Sequence, residues 1–496
     1  MYLLGYDVGS SSVKATLMKI ETGITVASAT SPKKEMPISA PQAGFAEQSP
    51  DLWWENLVTA TAEIKQNLSF DPADIKAIGI SYQMHGLVII DKDHNVLRPS
   101  IIWCDSRAVE IGNDGFDKIG RKNCLEHLLN SPGNFTASKL KWVMKNEPAI
   151  YDKIHKAMLP GDFIAMKMTG EIKTTISGLS EGILWDFKDG KRANLILDHY
   201  GISPDLLADI TPTFSVQGQL TKFAAKELGL KPGTAVSYRA GDQPNNALSL
   251  NVLNPGEIAA TAGTSGVVYG ISDKTDYDDK SRVNIFAHVN HTTDDPRLGV
   301  LLCLNGTGIL NSWLKHNAAD SLSYEQMNEL ASKAPIGSDG LSILPFGNGA
   351  ERTLENKDIA SSIHNLRFNT HGRSHLLRAA QEGIVFALNY GLEIMRGIVV
   401  EIKTVRAGQA NMFLSPLFAQ AFATVTDSVV QLYNTDGSQG AARGAGIGAG
   451  IYADTKEAFI GLDCKKTITP DKATQKAYND AYQNWLSILN KILKTN

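Results

Sequence analysis

Asp7-Val-Gly-Ser-Ser-Ser-Val-Lys14 sets a carboxylate, a glycine, three hydroxyls and an ammonium within eight positions of one another. A carboxylate at a strand end can hold a hydrated Mg²⁺. Gly9 lets the backbone approach a ligand closely. The hydroxyls and backbone N–H groups of Ser10, Ser11 and Ser12 suit phosphate oxygens, with Lys14 as a point charge. The same residues also suit a plain polar hairpin turn.

Four further segments carry reactive or ligand-binding side chains. Gln83-Met-His-Gly86 follows the apolar run Ile78–Tyr82, and Trp103-Cys-Asp-Ser-Arg107 lies shortly downstream. A polar strand end beside an aromatic suits a small hydroxylated molecule, although a lone histidine such as His85 is more often structural. Arg239-Ala-Gly-Asp-Gln-Pro-Asn-Asn-Ala247 presents Asp242 between a strand-like and a helix-like run. From the residues alone, a helix N-cap is the commonest role for such an aspartate. The Ala262–Gly266 loop can form a backbone nest for an anion. Arg406-Ala-Gly-Gln-Ala-Asn-Met412 again puts a glycine between a strand and a helix, which fits either ligand approach or an ordinary turn. No Gly-x₄-Gly-Lys-Ser/Thr loop and no Gly-x-Gly-x-x-Gly after the first strand occur. No Ser/His/Asp set has local spacing for acyl transfer.

The elements that must position these groups are legible in outline. Strands are expected over Tyr2–Tyr6, Val13–Ile20 and Thr25–Ala29, with a turn at Thr22-Gly23. Pro32–Pro50 reads as a polar loop. Leu52–Leu68 reads as a helix with Trp53, Leu57, Ala60 and Ile64 on one face. Ile75–Tyr82 and Gly86–Asp91 read as strands, Ala235–Tyr238 as another, and Leu414–Ala423 as a helix. Gly256–Gly270 repeats the opening pattern, so that Gly263-Thr264-Ser265-Gly266 stands where Gly9-Ser10-Ser11-Ser12 stood. A repeat at half the chain length makes each unit a whole domain. Gly444–Gly450 reads as a tightly packed helix. Thr469–Leu493 reads as a terminal helix starting at Thr469-Pro470-Asp471, with Tyr478, Tyr482, Trp485, Leu486, Leu489 and Leu493 facing the body. Strands mixed with helices over 496 residues indicate an α/β protein of several domains.

Composition removes several classes. Net charge is −4 with no long basic run, which disfavours nucleic acid as a partner. Cys104, Cys124, Cys303 and Cys464 are scattered without a Cys-x-x-Cys pair, as expected in a reducing cytosol. The most apolar stretch, Gly383–Val400, carries Asn389, Glu393 and Arg396 and is too polar for a membrane span. With no basic leader ahead of Asp7, a soluble cytoplasmic protein is expected.

Taken in order, these segments resemble the FGGY family of carbohydrate kinases over nearly the full chain. Asp7-x-Gly-Ser-Ser resembles its first phosphate motif and Ala262-Gly-Thr-Ser-Gly266 its second. Phe135-Thr-Ala-Ser-Lys-Leu-Lys-Trp142 resembles one family signature, with Asn134 departing at its leading position, and Glu382-Gly-Ile-Val-Phe-Ala-Leu-Asn389 the other. Gln83-Met-His-Gly86, Leu97-Arg-Pro99 and Trp103-x-Asp105-x-Arg107 are similar to the branch that phosphorylates D-xylulose.

The resemblance implies two ribonuclease H-like, actin-like domains, 1–247 and 248–496, with the active site in the cleft between them. It implies ATP and Mg²⁺, Asp242 as general base, and Asp7 organising the metal and phosphates. It places Met84, His85 and Trp103 at the sugar, and Ser10, Ser11, Ser12, Lys14, Thr264, Gly308, Gly408 and Asn411 at the nucleotide. It also implies a homodimer and conversion of D-xylulose to D-xylulose 5-phosphate. Kinases of another ketopentose, ketohexose or polyol share the pattern, as does a silent sugar or nucleotide sensor. The presence of both Asp7 and Asp242 speaks against the sensor. Arg239-Ala and Gln409 stand where the family carries more glycine.

Overall fold

The computed structural model describes residues 1–398 and 402–495. Two sheets organise the chain. The first contains β1 (Tyr2–Val8), β2 (Val13–Lys19), β3 (Thr25–Ser31), β4 (Ile75–Tyr82), β5 (Phe214–Gln219) and β6 (Ala235–Gly241), in the order β5-β6-β4-β1-β2-β3. The second contains β7 (Ile258–Ala262), β8 (Gly266–Ser272), β9 (Asn284–Ala287), β10 (Leu298–Leu304), β11 (Thr404–Gly408), β12 (Val429–Tyr433) and β13 (Cys464–Ile468), in the order β9-β10-β8-β7-β11-β12-β13.

The same five-strand motif sits inside both sheets. Strands β1–β3 form an antiparallel meander, with β4 and β6 added in parallel beside β1. Strands β7, β8 and β10 form the matching meander, with β11 and β12 parallel beside β7. The half-chain repeat read from the glycine-containing turns is therefore a repeat of topology.

The first sheet is covered on both faces. Leu4, Tyr6 and Val8 point to a core shared with Trp53, Leu57 and Ile64 of α1 (Pro50–Asn67) and Phe163 and Ile164 of α2 (Pro160–Thr169). Leu3 and its alternates face the other way, towards Ala441, Ala442 and Ala445 of a helix spanning Gly437–Gly448. That helix belongs to the second half of the chain yet lies on the first sheet. Its backbone comes so close that a Cβ on Gly5 would stand 1.9 Å from the Ser438 carbonyl oxygen, and one on Gly79 2.0 Å from that of Ala441. Glycine at these strand positions is required by this approach. Gly444–Gly448 lies inside the helix, as the glycine-rich run predicts, and Gly450 follows it in a left-handed turn (φ 66°).

The second sheet packs one face on a long helix, Arg373–Met395, and on Pro416–Thr426 and Gln475–Thr495. The apolar stretch from Gly383 forms the C-terminal part of the first of these; Val399 and Val400 lie outside the described residues. The terminal helix docks through Tyr478, Tyr482, Trp485 and Leu489, as its spacing predicts, and Trp485 Nε1 donates to the Ile343 carbonyl at 2.9 Å. It begins at Gln475 rather than near Thr469, because Asp471 accepts from Ala473 and Thr474 and closes a turn ahead of it. Strand β6 runs on to Gly241, and the Gly86–Asp91 strand is only Val88–Ile90. Among the described residues no helix is long and apolar enough to cross a membrane.

The free edge of the second sheet is closed by side chains from the first half. Asn130 Nδ2 donates to the Ile285 carbonyl at 2.6 Å, and its Oδ1 accepts from Ile285 N–H at 3.0 Å. Ser177 and Ser180 do the same for Ala287 at 2.9 Å each. An exposed edge strand is thereby satisfied without another strand. The short helix that carries the two serines, Ile176–Glu181, is fixed between the halves.

Candidate active site

Strand register brings the first group together. Asp7 lies opposite Lys14 on one side and Ser81 on the other. In the alternation of β1, Leu3, Gly5 and Asp7 share the face covered by the Gly437–Gly448 helix. A Cβ on Gly437 would come within 2.4 Å of Asp7 Oδ2, so the carboxylate rests against the first turn of that helix. Ser81 Oγ donates to Asp7 Oδ1 at 2.9 Å. Burial pushes the Asp7 carboxyl up; Ser81 and Lys14 pull it back, and the charge of Asp436 adds to the rise.

Asp436 is the N-cap of that helix, accepting from Gln439 N–H at 3.0 Å. Lys14 Nζ donates to it at 2.6 Å. Burial works against the Asp436 carboxylate, but Lys14 holds it below its ordinary range. The ammonium expected to face phosphate as a lone point charge is thus paired across 422 positions of sequence.

The loop from Gly9 to Ser12 is closed by Gly9 N–H donating to the Ser12 carbonyl at 3.0 Å. Gln48 Nε2 holds the Ser10 carbonyl at 2.7 Å, and Met36 N–H holds that of Ser11 at 2.8 Å. Trp103, 51% exposed, donates from Nε1 to Ser10 Oγ at 3.2 Å. The loop's carbonyls are therefore spent on fixing its shape, while the N–H groups of Ser10, Ser11 and Ser12 donate to no described residue.

Asp242 is the first residue of a helix, Asp242–Ser249, whose cap is Gly241. The cap role that the local sequence favours does not apply. Gly241 ends β6 beside Tyr82, and Met84 lies against it, its Cγ 2.6 Å from where a Gly241 Cβ would sit. Burial pushes the Asp242 carboxyl up to about 7, with the charge of Asp7 adding to the effect. Across the gap stands Cys303 on β10, whose thiol burial pushes up to about 12; Glu351 and Asp242 contribute their charge. Cys303 pairs with Val267, just past the Gly263–Ser265 turn. Asp242 therefore stands where the two halves face each other.

The second group gathers around that turn. Gly308 N–H donates to the Gly263 carbonyl at 2.9 Å and Ile309 N–H to that of Thr264 at 3.2 Å. A Cβ on Gly308 would lie 2.2 Å from the Gly263 oxygen, which only glycine permits. Asn411, in a left-handed conformation (φ 53°), brings its Nδ2 within 3.4 Å of the Cβ position of Gly263. Gly408 ends β11 three residues earlier. Thr264 is exposed on the turn.

Two buried residues that local sequence reading did not select complete the floor. Glu181 is 1% exposed; burial pushes its carboxyl well above the ordinary range, with Asp242 adding. Lys139 is 0% exposed and donates to the carbonyls of His85 and Ile102, at 2.9 Å each. Both are isolated in sequence from the groups they touch; Lys139 falls within the Phe135–Trp142 signature, but nothing there points to His85, and no local pattern marks Glu181. Asp105 and Arg107 form a buried pair at 2.7 Å, with Arg107 over Phe45 at 3.8 Å; this pair is structural.

Comparison with known proteins decides the family. The profile of the FGGY family of carbohydrate kinases, N-terminal domain, matches residues 2–249, and that of the C-terminal domain matches 258–453. The chain belongs to the FGGY family. This FGGY kinase is 31% identical to the xylulose kinase of Bacillus subtilis (strain 168) over 467 residues, covering 92% of this chain and 90% of that one. Its fold matches a ligand-bound xylulose kinase from Lactobacillus acidophilus with a TM-score of 0.90, at 22% identity over 99% of this chain and 98% of the other. A gluconate kinase from the same organism matches with a TM-score of 0.89, also at 22% identity and the same coverage. The fold is thus common to kinases named for different sugars, and the sugar has to be argued from side chains.

Proposed function

We propose that this FGGY kinase transfers the γ-phosphoryl group of ATP to the primary hydroxyl of D-xylulose, giving D-xylulose 5-phosphate. The observation that carries the reading is Asp242, a carboxyl at the N-terminus of a helix, poised near pH 7 at the gap between the halves. An alcohol is a poor nucleophile at neutral pH, and a base with a pKa near the working pH removes its proton most effectively. Asp242 accepts the hydroxyl proton as the oxygen–phosphorus bond forms and the bond from the γ-phosphorus to the β–γ bridging oxygen breaks, releasing ADP. Phosphoryl transfer otherwise asks the protein mainly for positioning and charge stabilisation. Named relatives support the choice of sugar.

Residues 1–247 supply the sugar side, Asp7 and Asp242. Residues 248–496 supply Thr264, Gly308, Gly408 and Asn411 to the nucleotide. Ser10, Ser11 and Ser12 edge the phosphates, and Trp103 and Met84 wall the sugar. Asp7, Asp242 and Asp436 place three carboxylates in one region with Lys14 the ammonium paired there. This excess of negative charge fits a divalent cation held by Asp7. Among the described residues, the one group of ligand atoms lying within 4.8 Å of each other is His127, Asp186 and Asp189, so Asp7 is not part of a closed protein cage. That suits Mg²⁺, which binds through one or two carboxylates plus phosphate and water oxygens. When bound, it supplies charge neutralisation at the β- and γ-phosphates. Four unpaired cysteines fit a reducing cytoplasm.

The test is ADP release by purified protein with MgATP and a panel of D-xylulose, D-ribulose, glycerol and D-gluconate. The highest kcat/KM is expected for D-xylulose. Faster turnover of any other member would overturn the choice of sugar, and sugar-independent ATPase activity would overturn the kinase mechanism.

A further inference from the structure

His85 is held at every polar atom of its backbone and at one edge of its ring. Its φ is 62°, a left-handed conformation that costs a non-glycine residue energy and persists only when the surroundings impose it. Lys139 Nζ donates to the His85 carbonyl at 2.9 Å, and Glu181 Oε1 faces His85 N–H at 3.5 Å. The ring stands between Phe135, edge-on at 4.7 Å, and Phe286 at 5.3 Å. Its Nδ1 lies 2.9 Å from the backbone carbonyl of Glu181.

A carbonyl only accepts, so Nδ1 must carry the proton. Burial, with Lys139 adding, pushes the ring down to about 3 and keeps it neutral. A neutral imidazole with its proton on Nδ1 has a bare lone pair on Nε2. Nε2 makes no hydrogen bond to any described residue, and His85 is the partly exposed member of an otherwise buried run from Ser81 to Ile90.

We propose that Lys139 and the Glu181 carbonyl are positioning groups that fix His85 Nε2 as a hydrogen-bond acceptor on the floor of the sugar cleft, and that this acceptor selects a substrate with a hydroxyl, not a carbonyl or carboxylate, at that point. The proposal rests on the assignment of the cleft to a sugar. A hydroxyl supplies the proton the lone pair needs. A carboxylate brings a second set of lone pairs against the first and loses a hydrogen bond it made to water. An aldonate seated with its carboxylate at this point is therefore disfavoured relative to a ketose that presents a hydroxyl there, even though the fold accommodates both classes of kinase.

Three measurements test this. Long-range ¹H–¹⁵N spectra of the full-length protein, with the His85 signals identified by their loss in His85→Gln, should show a neutral Nδ1–H ring from pH 6 to 8, whatever the sugar. A proton on Nε2, or a charged ring, would overturn the proposal. Lys139→Met should raise the sugar KM by about tenfold or more and leave that for MgATP unchanged. A folded variant with both constants unchanged would remove Lys139 from the clamp; should it fail to fold, Lys139→Gln carries the same expectation. Finally, kcat/KM for D-gluconate should lie about 10²-fold or more below that for the best ketose or polyol. Gluconate equal to or better than these would refute the selection, whereas D-ribulose or glycerol ahead of D-xylulose would correct the sugar and support the acceptor.

Discussion

Gly437→Ala isolates the position of the Asp7 carboxylate from its identity. Gly437 opens its helix without a positive φ, so alanine meets no backbone strain there, and its helix propensity exceeds that of glycine by about 1 kcal/mol. The added Cβ would stand 2.4 Å from Asp7 Oδ2 and 2.8 Å from its Cγ. A carbon–oxygen contact settles near 3.4 Å, so the carboxylate must retreat by about 1 Å. It can do so, because the obstructing atoms are the end of a side chain. A displacement of that size at a group with the role proposed for Asp7 costs on the order of 10²-fold in rate. Steady-state kinetics should show kcat reduced by about that factor, and thermal unfolding should leave Tm unchanged or slightly raised. Gly5→Ala is the control: its Cβ would strike the Ser438 carbonyl at 1.9 Å, a backbone atom that cannot step aside, so stability should fall. A folded Gly437→Ala enzyme with near-normal kcat would refute the role given to Asp7. Unfolding of both variants alike would reduce the contact to packing.

Four further outcomes are expected. Asp242→Asn should lower kcat by about 10²–10⁴-fold with the circular dichroism spectrum unchanged. Because the raised carboxyl of Asp242 is protonated below about 7, kcat/KM for the first substrate to bind should fall as pH drops through that value, by about tenfold per unit. Asp7→Asn removes a charge that raises Asp242 and should move this limb to lower pH, read from the pH profile of the residual activity. Gly308→Ala would drive a Cβ to 2.2 Å from the Gly263 oxygen and should raise KM for MgATP by about tenfold while changing the sugar KM less.

What the sequence made legible was whatever rests on local pattern. The turns at Gly9 and Gly263, the strands around them and the amphipathic terminal helix all follow from periodicity and turn chemistry, and the structure has them in place. Asp7 was expected beyond its strand and lies within it, because pairing with Lys14 and Ser81 carries β1 on to Val8. What stayed hidden depends on partners distant in the chain. Nothing near Lys14 announces Asp436. Nothing near Lys139 or Glu181 announces that both converge on His85. The Gly437–Gly448 helix reads locally as a packed helix, but only the two glycines opposite it, Gly5 and Gly79, reveal that it lies on the first sheet.

The duplication explains why two aspartates in equivalent places behave oppositely. Asp242 follows the last parallel strand of the first unit and Asp436 follows that of the second, each at a helix start. The two helices pack together: Asn245 Nδ2 donates to the Gly437 carbonyl at 2.8 Å. Each aspartate faces the opening meander of the other unit. Asp436 finds Lys14 there, and the ion pair holds its carboxyl low. In the second meander, counting back from the turn puts Thr261 and Val267 where the first has Asp7 and Lys14. Asp242 therefore meets no ammonium in that meander, only the Cys303 neighbourhood, and burial, with the charge of Asp7 adding, leaves its carboxyl near 7. One lysine kept in the first unit and lacking in the second separates a fixed helix cap from the carboxyl proposed as the base.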